Sequence, residues 1–442
     1  MRRNFAPDRS GTRSRSAYLT DFERSDSTKG VSMTVSRSVN CFSRAHRRRC
    51  PATYYSSLTA PLFCWMILPL LAWIWSGGTL RAADAPKAAI ETVSVNKPFF
   101  NPVMDEKVQI SFVVNSGGEL GVLVLDRDGF LVRSLVSRQP VKAGNLSYSW
   151  DGRDDQGRVV PDEAYSLKID LVASDGVHSY FPANSSASEV KAEIGYYDRR
   201  IAVLSYRLPV AARVHVQAGL NHPAEKSGKV GGPVLKTLVN REPRPAGAVI
   251  ETWNGLDETG SYYVPDLTDF TMAVAASSLP ENAMITVGQK KESFIDHART
   301  RGGVSLLTYS SANHHHHSAL SALDDVSPTL HVRASNALPA LTGGMWKVEG
   351  STLKGKLVLE GPSAESFARQ PAALIIFLDT KRIETKRTPA PGMLFDVPLT
   401  GLTPGPHIVA FDWASEYGPV AATSLRVEVG PHGGPVADSG RR

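Results

Sequence analysis

One octapeptide limits what this chain can fold into. Trp150-Asp151-Gly152-Arg153-Asp154-Asp155-Gln156-Gly157 returns as Trp253-Asn254-Gly255-Leu256-Asp257-Glu258-Thr259-Gly260. The match continues upstream at the same offset. Leu-Val-Arg-Ser-Leu-Val at 131–136 falls on Val-Leu-Lys-Thr-Leu-Val at 234–239, Pro140 on Pro243, Ala143 on Ala246 and Gly144 on Gly247. A period of about a hundred residues is the size of a domain, not of a solenoid unit. The chain therefore holds one domain type built twice.

Each copy reads strand, turn, strand, turn, strand. Branched and polar residues alternate over 131–136, Pro140 to Gly144 breaks the run, and Leu146, Tyr148 and Trp150 then share one face. Asp151-Gly152 signals a turn, because Gly accepts positive φ and Asp bonds its own downstream backbone. Gly157 marks a second turn, and alternation resumes over 165–171. The indole is expected to fill the space between two sheets.

This pattern resembles the Ig-like domain of the flagellar hook-capping protein (FlgD), a module of exported bacterial proteins. That family runs from Asn-Pro to a Trp-Asp-Gly-x-Asp-x-x-Gly turn and a Tyr-bearing last strand. Asn101-Pro102, Trp150, Asp151, Gly152, Asp154, Gly157 and Tyr165 match it. The second copy, with Trp253, Asn254, Gly255, Asp257 and Gly260, departs at Asn254 and carries Phe270 near the Tyr position. The resemblance implies a β-sandwich used for assembly or presentation. It carries no flagellar role, because the rest of a hook-capping protein is missing.

The formal charge of +6 is concentrated at one end. Residues 1–85 hold 13 of the 49 Lys+Arg and 5 of the 43 Asp+Glu, which leaves 36 against 38 for the remainder. The body of the chain thus offers no general case for nucleic-acid binding. Cys41, Cys50 and Cys64 all lie in the same N-terminal part, so the body can hold neither a disulfide nor thiol chemistry.

Residues 1–57 are expected to be disordered or an over-extended start. Arg47-Arg48-Arg49 then precedes an apolar run at 58–75, and Ala83-Asp84-Ala85 supplies a small-x-small site. Basic flank, apolar run and small residues describe an export signal over 58–85, either cleaved or retained as a membrane anchor. The body is then periplasmic or at the cell surface, with possible membrane attachment through 58–76.

The first Ig-like domain is assigned to 90–175. Within it, Asn115-Ser116-Gly117-Gly118 reads as a hairpin turn between two strands. Asp126-Arg127-Asp128-Gly129 reads as a plain turn, since its spacing never completes a calcium loop. The second domain is assigned to 189–288, with a long loop at 219–233 carrying Lys226 and Lys229. A linker follows over 289–345, then a third Ig-like or fibronectin-like domain over 346–430 without the Trp turn, and a polar tail at 431–442. The fold class is all-β, tandem sandwiches behind a signal or anchor.

The candidate metal residues are His314, His315, His316 and His317 in the linker. Adjacent imidazoles can hold zinc, copper or nickel, yet structural sites want fixed, separated ligands. A solvated polar tract is the expected reading. No nucleophile elbow, zincin motif, phosphate loop or dinucleotide fingerprint occurs. Asp154-Asp155 and Asp324-Asp325 sit in expected turns, where caps outweigh catalytic pairs. No catalytic residue and no cofactor are expected. Two readings follow: a non-catalytic envelope protein that binds protein partners, or a metal- or redox-linked periplasmic accessory using His314–His317 with His297 or His331.

Overall fold

The computed structural model describes residues 89–185, 187–221, 231–308, 321–339, 344–416 and 418–430. The export segment, the three cysteines, Lys226 and Lys229, the His314–His317 tract and the tail lie outside these residues.

The first sandwich is built from β1 (Ile90–Val95), β2 (Phe99–Phe100), β3 (Val108–Val114), β4 (Gly118–Leu125), β5 (Leu131–Val141), β6 (Gly144–Trp150), β7 (Ala164–Ala173) and β8 (Gly176–Tyr180). One sheet runs β1-β3-β6, and the facing sheet includes β7-β4-β5, with β8 on β7. Alternation drives this layering. In β3, Val108, Ile110, Phe112 and Val114 point inward while the residues between them do not. They meet Leu120, Val122 and Val124 of β4 and Leu167 and Ile169 of β7 in one core.

The 115–118 turn departs from its expected form. β3 and β4 lie in different sheets, so this turn is an arch across the sandwich and not a hairpin. Asn-Ser-Gly-Gly permits either course. The chain crosses because both strands carry an apolar face that must be covered by the opposite layer.

The second sandwich comprises β9 (Glu193–Asp198), β10 (Val203–Leu208), β11 (Ala212–Leu220), β12 (Val234–Arg244), β13 (Gly247–Thr252) and β14 (Phe270–Ser278). Its sheets run β9-β10-β13 and β12-β11-β14, the same order as β1-β3-β6 and β5-β4-β7.

The next strand, β15 (Met284–Thr286), lies inside the range assigned to the second domain yet belongs to the first sandwich. It pairs antiparallel with β7 and parallel with β2, and Met284 is fully buried in the first core. A short helix, α1 (Phe294–Thr300), follows, capped by the Ser293 hydroxyl, which accepts from the Asp296 amide. The segment assigned to a linker is therefore partly a strap against the first sandwich. The Leu306 amide donates to Gly129 O (2.9 Å), and the Gly288 and Gln289 amides each donate to the Asp162 carboxylate (2.8 Å). Met284-Ile285-Thr286-Val287 before Gly288 is too short a run to read as a strand from sequence.

The third sandwich also starts earlier than 346. It contains β16 (Thr329–Ala334), β17 (Ala337–Pro339), β18 (Met345–Val348), β19 (Thr352–Glu360), α2 (Ala364–Ala368), β20 (Ala372–Leu378), β21 (Lys381–Arg387), β22 (Leu394–Pro398), β23 (Gly405–Ser415) and β24 (Val420–Val429). Sheet β16-β19-β22 faces sheet β17-β18-β24-β23-β20-β21. Leu330 and Ala337 enter its core beside Trp413 and Phe411, which is why β16 and β17 belong to it.

Candidate functional site

Two features concentrate unusual chemistry: the repeated turn and a cluster of buried charges where the strap meets the first two sandwiches.

Trp150 ends β6 with none of its surface exposed, between Phe100 and Tyr165 at ring-centroid distances of 5.5 and 5.2 Å. Its indole Nε1 donates to Arg153 O at 3.0 Å, which meets the polar need of a buried indole. Asp151 Oδ1 accepts from the Arg153 amide (3.1 Å), and Asp154 Oδ1 accepts from the amides of Gln156 (3.0 Å) and Arg158 (2.8 Å). Gly152 has φ +69, and a Cβ there would lie 2.4 Å from Pro102 Cβ. The Asn-Pro and Trp-Asp-Gly elements of the resemblance thus pack against each other.

Trp253 repeats the arrangement. Its Nε1 donates to Leu256 O at 2.9 Å, Asn254 Oδ1 accepts from the Leu256 amide, and Asp257 Oδ1 accepts from the Ser261 amide. Phe270 lies 6.1 Å from the indole, and Tyr197 lies nearer at 5.1 Å. Gly157 and Gly260 both take positive φ at the second turn. The polar atoms of these residues are engaged within the protein, mostly by backbone groups of the turn, with Arg158 also on Asp154 and Thr259 and Ser424 also on Asp257.

The charge cluster was not legible in the sequence. Asp126 and Asp128 of the 126–129 turn are buried, and both pair with Arg301, which follows α1. Arg301 also lies 3.9 Å over the Phe130 ring. Arg127 bonds Asp325 at 2.9 Å, Arg241 of β12 pairs with the same carboxylate, and Arg213 of β11 reaches Glu163 at 2.9 Å. The Ala322 amide donates to both oxygens of Asp128 (2.9 and 3.1 Å). Asp325, read from sequence as a turn cap, is instead a bridge between the first two sandwiches.

Four guanidinium groups thus face four carboxylates, and all eight side chains are less than a tenth exposed. Burial pushes the Asp126 carboxyl up to about 6, with Arg301 working against that shift. Burial, with Arg127 and Arg213, pulls the Arg241 guanidinium down to about 10. Ion pairs this dry contribute little net stability, because desolvation offsets attraction, but they tolerate only one geometry. The cluster fixes three chain segments against one another.

A cleft of about 480 Å³ adjoins the cluster, lined by Arg127, Asp162, Glu163, Arg244 and Phe294 among others. Its charged walls are already engaged: Asp162 by two amides, Arg244 by Glu242 and Glu251, Glu292 facing His297, and Arg127, Glu163, Arg241 and Asp325 within the cluster. Among the described residues, no group of three or more His, Cys, Asp or Glu is placed to hold a metal ion. His297 faces Glu292 at 3.9 Å and His331 faces Glu360 at 3.5 Å, in separate elements. Exposed apolar side chains include Met104 and Val103 at one end of the first sandwich, and Tyr196 and Ile250 on the outer sheet of the second.

Comparison with solved structures gives weak overlays. FLGD from P. aeruginosa is 20% identical, with 27% of this chain and 81% of that chain covered at a TM-score of 0.18. A tetra-tandem repeat from the extending region of a large adhesion protein is 14% identical, covering 76% and 73% at a TM-score of 0.15. The central fibronectin-III array of RIM-binding protein is 10% identical, covering 76% and 97% at a TM-score of 0.14. No curated protein matches the chain. The FlgD Ig-like domain model matches residues 104–175, which hold β3 to β7 and the Trp150 turn, and no part of the second sandwich. What the chain contains at 104–175 is therefore a segment similar to the FlgD Ig-like domain, within an all-β chain of stacked sandwiches.

Proposed function

We propose that the protein is an exported, non-catalytic, multi-domain β-sandwich protein that presents a fixed surface to protein partners at the bacterial envelope. The observation that carries this reading is the FlgD Ig-like match over 104–175, in a body whose buried charges at the joint of the first two sandwiches are consumed in mutual pairs. A fixed orientation between sandwiches suits presentation, because a partner spanning two of them meets no ordering cost. Met104, Tyr196 and Ile250 are the exposed apolar side chains we would place at such contacts.

We further read the second sandwich as a diverged copy of the first. Its strand order and its indole-to-carbonyl bond support this. Export is part of the proposal and rests on the 58–85 segment.

Two measurements test it. A reporter enzyme active only outside the cytoplasm, fused after Ala85, is expected to be active; an inactive fusion that is stably made removes the export claim. Crosslinking of the full chain in cells, read by mass spectrometry, is expected to join it to envelope proteins. Crosslinks to cytoplasmic proteins alone defeat the assignment.

A further inference from the structure

The joint between the second and third sandwiches differs in kind from the one between the first and second. It is apolar. Phe377 of β20 and Ile408 and Ala410 of β23 belong to the same buried cluster as Leu235 and Val239 of β12. Alternation along β23 sends Val409, Phe411 and Trp413 into the third core and Ile408, Ala410 and Asp412 toward the second sandwich. One carboxyl of β23 therefore stands in this contact.

Asp412 is 4% exposed. Its neighbours across the sheet are Ile375 and Ala422. Oδ2 accepts from the Val234 amide of the facing sandwich at 2.9 Å, and buried Oδ1 has no partner among the described residues. Among the described residues, no cation pairs with it. The charged groups on the elements around it are engaged elsewhere or lie at other registers. Lys236 pairs with Glu258. The Asp257 carboxylate takes the amides of Thr259, Ser261 and Tyr262 and the Ser424 hydroxyl, and the Tyr262 hydroxyl bonds Ser424. On β24, Arg426 and Glu428 sit opposite Ile408 and Pro406; on β21, Arg382 and Arg387 sit opposite Phe377 and Ala373. A lone ionised carboxylate is not retained in such a place, whereas a protonated carboxyl is.

We propose that this joint is a latch tightened by acid, closed by Asp412 in its protonated form and loosened when that carboxyl ionises. Burial pushes Asp412 up to about 8, with the Val234 amide opposing it. An exposed Asp in the opened joint would titrate near its ordinary value of about 4. The closed form therefore binds the extra proton between these limits. Its closing constant falls by up to about tenfold per pH unit across that window and levels off above it. Among the described residues, the first joint, with its opposed pairs, has no comparable lone carboxyl.

The test uses the full chain and the Asp412→Asn variant, which keeps the acceptor for Val234 and carries no charge. Hydrogen exchange of peptides from the start of β12, corrected for intrinsic rate, reports opening. Between pH 5 and 7 the wild type is expected to lose about a hundredfold in protection there, and the variant to stay level. Matching profiles for the two proteins overturn the proposal. Should the variant fail to fold, carbon NMR of the labelled wild-type Asp412 carboxyl decides. A midpoint well above the ordinary Asp range supports the latch, and one near 4 removes it.

Discussion

Arg301 stands in the strap that leaves the second sandwich, and its guanidinium covers the ring of Phe130 in the first at 3.9 Å. The same group pairs with Asp126 and Asp128 below that ring. One side chain therefore closes a turn 173 residues upstream in apolar and ionic terms together. Arg301→Leu keeps the apolar contact and leaves two buried carboxylates with one guanidinium fewer. We expect a loss of about 3–5 kcal/mol in urea unfolding. Arg301→Lys is expected to recover only part of it, because an ammonium cannot fork across two carboxylates.

Met284 follows the second sandwich in sequence and fills the core of the first. Met284→Ala is expected to cost about 2–5 kcal/mol. Exchange protection should fall in β2 and β7, the partners of β15, and remain unchanged in β9 and β10. A loss confined to the second sandwich would contradict the pairing.

Two glycines of one turn separate strain from contact. Gly152 and Gly157 both have positive φ, but only at Gly152 would a Cβ strike a neighbour, Pro102 at 2.4 Å. Gly157→Ala is expected to cost about 1 kcal/mol, the backbone penalty alone. Gly152→Ala should cost about 1–3 kcal/mol more, as overpacking does. Equal midpoints in thermal unfolding would remove the contact from the explanation.

His407 gives a pH signature in the third sandwich. Burial lowers its imidazole, but Asp379 at 2.8 Å and Thr403 O at 2.7 Å outweigh that and raise it overall. A raised folded value means the charged form contributes stability below the ordinary range and loses it as pH rises through the folded value. Asp379→Asn is expected to lower the His407 midpoint in proton NMR and flatten the stability profile near neutrality. An unmoved midpoint would show the pair to be open in solution.

Much of this molecule was written locally. The Trp150 and Trp253 turns, the alternation of β3, β6 and β7, and the all-β class follow from side-chain period and turn chemistry, which act over a few residues. The resemblance of 104–175 rests on the same local signals. Other features depended on partners far away in sequence. Asn115 to Gly118 is an arch only because β3 and β4 must face each other across a core. Met284–Thr286 becomes a strand only beside β2 and β7. Asp126, Asp128 and Asp325 look like ordinary turn acids until Arg301, Arg127 and Arg241 arrive from other segments. Asp412 is a single acid in a mainly apolar strand, and only the second sandwich that covers it decides what its oxygens meet. The sequence determined the strands and turns, because backbone preference and apolar period are properties of neighbours in the chain. The tertiary structure decided which charges lose water and what then faces them, because desolvation depends on groups that only folding brings together.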